Sequence, residues 1–160
     1  MNSRIKELLN PLPGYTILHV SLHVDDVTET LLEMLEKVGG KFNLALYQNS
    51  KTLSLSGNVH VQKLESFDEI FRVLPRDNDI VIFHDIFSRH SQKDRILKNA
   101  YMTLANAGQI IIIEKKGVMD IVQIKEYLES HEFRAANEID LLEGYDLIIA
   151  KKMHMWGNGL

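Results

Sequence analysis

The side chains of this chain that could do chemistry are concentrated in two short stretches. In the first, His19, Ser21 and His23 alternate along a predicted strand and therefore share one face, and Asp25 follows them. Such a set suggests either a metal site or a serine–histidine pair. A hydrogen-bonded core histidine is the plainer interpretation of His19, and no third ligand has the spacing typical of a metal centre, so we expect no metal.

The second stretch is His84 and Asp85, which follow directly after the apolar run 80–83. An imidazole or a carboxylate at the end of a strand can act as a general base toward a weakly acidic group. The alternative is that the pair only closes the strand and starts the next loop. Both interpretations stay open at the level of sequence.

Two further titratable residues are given structural interpretations. Glu114 ends the apolar run 110–113 and is expected to pair with the lysines that follow it. His90 lies just before a predicted helix and is expected to be an exposed loop residue.

The elements that position these residues alternate between strand and helix. Strands are predicted at 15–22, 42–47, 59–64, 80–83, 109–114, 134–141 and 145–150, and helices begin near Ser3, Asp26, Ser66, Ser91 and Met119. The strands are continuously apolar, which indicates a parallel sheet covered by helices on both faces. The last two strands are joined by a short turn and must form an antiparallel hairpin. The pattern therefore predicts an α/β fold, a three-layer α/β/α sandwich around a mostly parallel, seven-stranded sheet.

Composition narrows the class of protein. The chain has 160 residues, a mass of 18.4 kDa and no cysteine, which excludes disulfides, thiolate zinc sites and cysteine nucleophiles. We expect one domain over residues 1–152 and a short tail at 153–160. The formal net charge of −4 predicts neither a broad nucleic-acid surface nor an anionic-membrane surface. The apolar runs are far shorter than the ~20 residues that span a bilayer, and no signal peptide is visible, so a cytoplasmic protein is expected.

Three stretches resemble the class I S-adenosylmethionine-dependent methyltransferases. The first, LPGYTILHV from Leu12, resembles that family's entry into its first strand. The second, DIVIFHD from Asp79 followed by LANAGQIIII from Leu104, resembles its fourth strand and the turn into its fifth. The third, YLESHEF from Tyr127 followed by YDLIIAKK from Tyr145, resembles its last helix and terminal hairpin. The match covers roughly residues 12–152 and implies the Rossmann-like methyltransferase fold.

The resemblance implies roles for particular residues. It places catalytic or substrate-orienting groups at His84 and Asp85, and cofactor contacts at Ser21, His23, Asp25, Gln48, Asn49 and Glu65. The implied cofactor is S-adenosylmethionine. The family has a glycine-rich loop after its first strand and an acid after its second, whereas this chain has no glycine at 21–26 and no acid at 47–49.

Two functions follow from these features. The first is an S-adenosylmethionine-dependent methyltransferase of unknown acceptor, whose site a second copy would complete in a homodimer. The second is a methyltransferase-like domain that has lost cofactor binding and serves as a binding or oligomerisation module. A nucleotide-dependent oxidoreductase is disfavoured, because Asp25 and Asp26 would repel a pyrophosphate at the helix N-terminus. The same two residues could instead only cap that helix.

Overall fold

The computed structural model describes residues 2–47 and 58–153, which form seven strands and three α-helices. The strands are β1 (Thr16–Ser21), β2 (Lys41–Tyr47), β3 (Val59–Leu64), β4 (Asn78–His84), β5 (Leu104–Lys115), β6 (Phe133–Glu138) and β7 (Tyr145–Lys152). The helices are α1 (Asp26–Lys37), α2 (Lys93–Thr103) and α3 (Ile121–Ser130), and two 3₁₀ helices cover Asn2–Leu8 and Phe87–Arg89.

All seven strands belong to one sheet with the order β3-β2-β1-β4-β5-β7-β6. The first five strands pair in parallel, and β7 runs antiparallel to both β5 and β6. Gly144 allows the turn into β7, because its φ of +80° lies in the left-handed region. The predicted sheet and its terminal hairpin are confirmed.

Helices cover both faces of the sheet, as the three-layer prediction requires. Helix α1 and the first 3₁₀ helix pack on one face, which we call the α1 face, through apolar residues such as Ile5 and Leu31. Helices α2 and α3 pack on the other, which we call the α2 face, through residues such as Ile96 and Leu128. Because side chains alternate along a strand, neighbouring residues serve different faces. Ile17 of β1 therefore belongs to the α1 face, and Leu18 belongs to the α2 face.

The helix predicted from Ser66 is wrong, because the structure has no helix between β3 and β4. The side-chain amide of Gln62 accepts from the Arg72 backbone N–H (2.7 Å) and donates to the Arg72 carbonyl (2.6 Å). The Glu69 carbonyl accepts from the Tyr47 hydroxyl at 2.7 Å. Backbone groups that a helix would pair internally are thus bound to distant side chains, which favours an extended segment.

Helix α1 ends at Lys37, and Gly39 follows with φ +64°, in the left-handed region that glycine adopts without strain. The turn predicted around Ala107 lies inside β5, where Ala107 has φ +67° and the pairing with β4 shifts register. Most of the 153–160 tail lies outside the described residues. No helix in the described ranges combines the length and apolar character needed to cross a bilayer.

Candidate functional site

Strands β1 and β4 end side by side and bring the two predicted stretches together. Ser21 and His84 are register partners at the carboxyl ends of these strands. His19 precedes Ser21 by two residues on β1 and lies on the same face of the sheet. Its ring stacks on that of His84, with the ring centroids 5.8 Å apart and an angle of 19° between the ring planes. Because ligands of open α/β sheets bind outside the carboxyl ends of the strands, this edge is the candidate site.

The loop after β1 is closed by hydrogen bonds of its own. The Ser21 hydroxyl donates to the His23 carbonyl at 2.7 Å and accepts from the His23 backbone N–H at 3.3 Å. The His23 side chain is exposed. Ser21 and His23 thus lie at the predicted edge, but the hydroxyl of Ser21 is used by the loop itself.

Asp25 combines the two roles that the sequence left open. Its Oδ1 accepts from the backbone N–H groups of Val27 (3.0 Å) and Thr28 (3.4 Å), and Thr28 Oγ1 accepts from the Asp25 N–H. This capping box starts at Asp25, one residue before the predicted start of the helix at Asp26. The other carboxylate oxygen, Oδ2, lies 3.8 Å from His84 Nδ1. Asp25 therefore caps α1 and also faces the site.

His84 is the most unusual residue of the site. Its ring is only 2% exposed, and neither ring nitrogen has a hydrogen-bond partner. Asp85 Oδ2 lies 3.6 Å from Nε2, and the Asp25 carboxylate is slightly farther from Nδ1; both separations exceed a normal hydrogen bond. A buried polar group without a partner is unfavourable by about 1–3 kcal/mol, so such a group calls for a functional explanation.

Asp85 has a left-handed backbone with φ +58°. Aspartate tolerates this region better than most residues, and such conformations are concentrated at functional sites. The backbone N–H of Asp85 donates to the Ile113 carbonyl at 2.9 Å, which extends the β4–β5 pairing by one residue. This turn directs the chain away from the sheet immediately after His84.

Tyr145, the first residue of β7, also belongs to the site and was not among the predicted site residues. Its ring meets that of His84 edge-on, with centroids 5.7 Å apart. Since β7 is antiparallel, its first residue lies at the edge where β1 and β4 end, and this position was the signal that could have identified it. Burial is the main cause of the raised pKa of the Tyr145 hydroxyl, and the carboxylates of Asp85, Asp25 and Asp26 raise it further.

The site is therefore negatively charged. The carboxylates of Asp25, Asp26 and Asp85 all raise the pKa of the Tyr145 hydroxyl. In the described part of the chain, the ion pairs of Asp25 and Asp85 are with His84. His19, which lies behind His84, is fully buried, and burial lowers its pKa well below the usual value, with a smaller contribution from His84. Such an edge favours a ligand that carries positive charge. Over residues 2–47 and 58–153, no three metal-ligating side chains are arranged to hold an ion.

Glu65, another predicted cofactor contact, is not part of this cluster. Glu65 follows β3, which is separated from β1 by β2, and its backbone N–H donates to the Glu69 carboxylate at 3.1 Å. Gln48 and Asn49 lie outside the described residues.

Both structural interpretations of the remaining titratable residues are wrong. Glu114 is 2% exposed and accepts from the Ser88 backbone N–H at 3.0 Å, whereas the lysines after it are exposed. Burial raises its pKa. His90 is fully buried: its Nδ1 accepts from the Gln92 N–H, so Nε2 carries the proton that is donated to the Glu69 carbonyl at 2.9 Å.

No protein-family model and no curated protein matches the sequence. Solved structures do match. A methyltransferase dependent on S-adenosylmethionine from Aquifex aeolicus superposes with a TM-score of 0.71 at 16% identity, over 95% of this chain and 89% of that one. The YcgJ protein from Bacillus subtilis gives a TM-score of 0.69 at 8% identity, over 96% and 99% of the two chains.

A third match is phosphoethanolamine N-methyltransferase 2 from Haemonchus contortus, solved with phosphomonomethylethanolamine and S-adenosylhomocysteine. Its TM-score is 0.72 at 10% identity, and the match covers 95% of this chain but 52% of that protein. At these identities the likeness concerns the fold. This chain has the fold of the class I S-adenosylmethionine-dependent methyltransferases.

Proposed function

We propose that this chain is an S-adenosylmethionine-dependent methyltransferase with a diverged cofactor loop. The observation that carries the proposal is His84, a buried imidazole without a hydrogen-bond partner, at the edge where β1 and β4 end. Two carboxylates lie within 4 Å of its nitrogens. Methyltransferases of Aquifex aeolicus and Haemonchus contortus share the fold, which adds support by analogy.

The charge of the site fits the proposed cofactor. S-adenosylmethionine carries a sulfonium and an ammonium, and when bound it supplies an electrophilic methyl group. Asp25, Asp26 and Asp85 provide negative charge at this edge, as their common effect on Tyr145 indicates. Asp25 and Asp85 are the residues proposed to hold the cationic end. The ribose contact is proposed for Gln48 or Asn49, and the adenine contact for Glu65.

In this proposal His84 is the general base. It accepts the proton of the acceptor's nucleophilic atom, and the resulting imidazolium lies within 4 Å of the Asp25 and Asp85 carboxylates. His19 covers the back of the ring and keeps water from that side. Since methyl transfer is a direct displacement, the chain contributes chiefly by positioning the two reactants.

One observation favours the second function, a domain with this fold that does not bind the cofactor. The glycine-free loop after β1 is closed by the Ser21 hydroxyl, which occupies both the N–H and the carbonyl of His23. These are backbone groups that a cofactor lying against the loop would approach. The charge of the site fits the cofactor, whereas the closed loop favours a binding or oligomerisation module.

Thermal unfolding with S-adenosylmethionine separates the two functions. At 100 times its dissociation constant, a ligand that binds only the folded state stabilises it by about 2.7 kcal/mol, or about 5–10 °C for a chain of this size. The methyltransferase proposal predicts such a shift. No shift at millimolar cofactor, in the wild type and in His23→Gly alike, would assign the second function. A shift in His23→Gly alone would show that the His23 side chain obstructs the cofactor in the native chain, and this too would contradict the proposal.

A further inference from the structure

A groove of about 730 Å³ lies on the α2 face, where the helix predicted from Ser66 does not form. Its floor is the outer part of the sheet, including Leu18 and Leu64, and its wall is the extended segment 65–77. Leu74 forms the lip of this groove, just before β4 begins. In the predicted three-layer sandwich a helix would fill this space.

The lip of the groove and the end of β7 are both attached to the last turn of α2. The Lys152 ammonium, at the end of β7, donates to the Tyr101 carbonyl at 2.7 Å. The next carbonyl, that of Met102, accepts from the backbone N–H of Arg76 at 3.0 Å, and the Thr103 hydroxyl donates to the Leu74 carbonyl at 2.7 Å. The C-terminal end of α2 therefore links the lip of the groove to the place where the chain leaves the sheet.

Apolar side chains are exposed at each of these three places. Leu74 at the lip is 67% exposed, Met102 in the last turn of α2 is 40% exposed, and Met153, the residue after β7, is 49% exposed. Large apolar side chains exposed near one another are typical of a surface that another segment or partner covers.

The residues after Met153 have the composition and the length to cover this surface. Residues 154–160 read HMWGNGL, which includes Met155 and Trp156 and no Asp, Glu, Lys or Arg. Seven extended residues span about 23 Å, whereas β7 and β4 are two strand spacings apart, or about 10 Å. Three residues cover that separation, so Trp156 is the side chain that can reach the lip of the groove.

The charges of the groove fit an uncharged occupant. On the face of the groove, Lys41 and Arg72 are balanced by Glu69 and Asp77, and Lys41 pairs with Asp77 at 3.4 Å. A segment without charged side chains can cover such a surface without burying an unpaired charge.

We propose that residues 154–160 dock on their own chain, across the end of α2, with Trp156 against Leu74 and Met102 at the mouth of the groove. A tethered segment has a millimolar effective concentration at a surface that its tether can reach, which favours the chain's own tail over that of a second copy. The tail thus covers the space that the missing helix leaves open.

This docking surface is distinct from the His84 cluster. Leu74 lies before the first residue of β4, whereas His84 is the last residue of that strand, so the two are at opposite edges of the sheet. The inference does not rest on the proposed methyltransferase function, and either one can fail alone.

Trp156 is the only tryptophan of the chain, so its fluorescence reports the position of the tail in the intact protein. We expect its emission to be blue-shifted, and its quenching by acrylamide to be weaker, relative to N-acetyltryptophanamide. Leu74→Gln/Met102→Gln should raise the quenching constant about twofold and shift the emission to the red, because apolar contacts of the indole are lost. The matched control is Val118→Gln/Val122→Gln, which replaces two exposed valines at the opposite edge and should change neither value.

A second variant locates the indole, and circular dichroism verifies the fold of each variant. In amide spectra, Trp156→Ser should shift the signals of Leu74 and Met102 and leave those of Val118 and Val122 unchanged. A wild-type indole as exposed as N-acetyltryptophanamide would overturn the proposal, as would equal quenching in the two double variants. Protection of the indole that appears only as the protein concentration rises, together with a dimer in sedimentation, would assign the tail to a second copy and would also overturn it.

Discussion

The imidazole rings of His19 and His84 are stacked in the interior with centroids 5.8 Å apart, and none of their four nitrogens has a hydrogen-bond partner. Unpaired polar groups in the core are unfavourable for folding, so the pair is better explained by a function of the site than by stability. His84 is the member that faces the carboxylates, and His19 supports it from behind.

Replacing His19 by Leu should raise the free energy of unfolding by about 1 kcal/mol, because an unpartnered buried imidazole is exchanged for an apolar side chain of similar size. The matched variant is His90→Leu. His90 is equally buried but bonds the Glu69 carbonyl and the Gln92 N–H, so its loss should cost about 2–3 kcal/mol. Urea unfolding at pH 7.5 measures both. A loss in His19→Leu as large as in His90→Leu would mean that a ring nitrogen of His19 has a partner.

Stability should fall as the pH drops below about 6.5. Burial lowers the folded-state pKa of His19 and of His90, whereas both return to about 6.5 on unfolding. At pH values between the folded-state pKa and the unfolded-state pKa, the unfolded chain binds more protons than the folded chain, so protonation favours unfolding. The slope contributed by each histidine approaches about 1.4 kcal/mol per pH unit. Unfolding between pH 5 and 7.5 should therefore show a steeper decline in the wild type than in His19→Leu, and parallel curves would contradict the assignment.

Glu114→Gln should stabilise the protein at neutral pH. Burial raises the folded-state pKa of Glu114, so the protonated form is favoured in the fold. The contribution of protonated Glu114 to stability is complete below the unfolded-state pKa of about 4.3. It is lost as the pH rises through the folded-state pKa. Glutamine keeps an acceptor for the Ser88 N–H without the charge, and a gain of about 1 kcal/mol at pH 7 is expected. The gain should disappear near pH 4, and an equal gain at both pH values would refute this cause.

Asp25→Asn tests the charge of Asp25 separately from its role as the N-cap of α1. Asparagine caps helices about as well as aspartate, so the free energy of unfolding should change by less than about 0.5 kcal/mol. Affinity for S-adenosylmethionine should fall about fivefold, since a carboxylate near the cationic ligand is lost. Calorimetric titration measures this loss. The control is Asp120→Asn at the cap of α3, where Asp120 accepts from the Gln123 N–H. Equal affinity in both variants would exclude Asp25 from the site.

Much of the fold could be predicted because its signals are local. The continuous apolar strands and the short turn before Tyr145 required a parallel sheet with a terminal hairpin. The helix predicted from Ser66 does not form: Phe71 is buried, Leu74 is exposed, and the Gln62 side chain occupies the backbone groups of Arg72. Tertiary hydrogen bonds overrode the local pattern there.

The candidate site could likewise be predicted only in part from local sequence signals. Ser21, Asp25, His84 and Asp85 could be placed together, because parallel strands end at one edge. The burial of His90 could not be predicted, since its partners Tyr47 and Glu69 are 43 and 21 residues away. The stacking of His19 and His84 likewise depends on the pairing of β1 with β4, which no local pattern specifies.

Binding of the cofactor at the His84 edge is the central claim, and one titration tests it most directly. Calorimetry with S-adenosylmethionine should give one site per chain. Amide spectra recorded in parallel should shift the amides of Ser21, His84 and Asp85 and leave those of Gln62 and Arg72 unshifted. Absence of both heat and shifts at millimolar cofactor would contradict the methyltransferase account, as would shifts confined to Gln62 and Arg72.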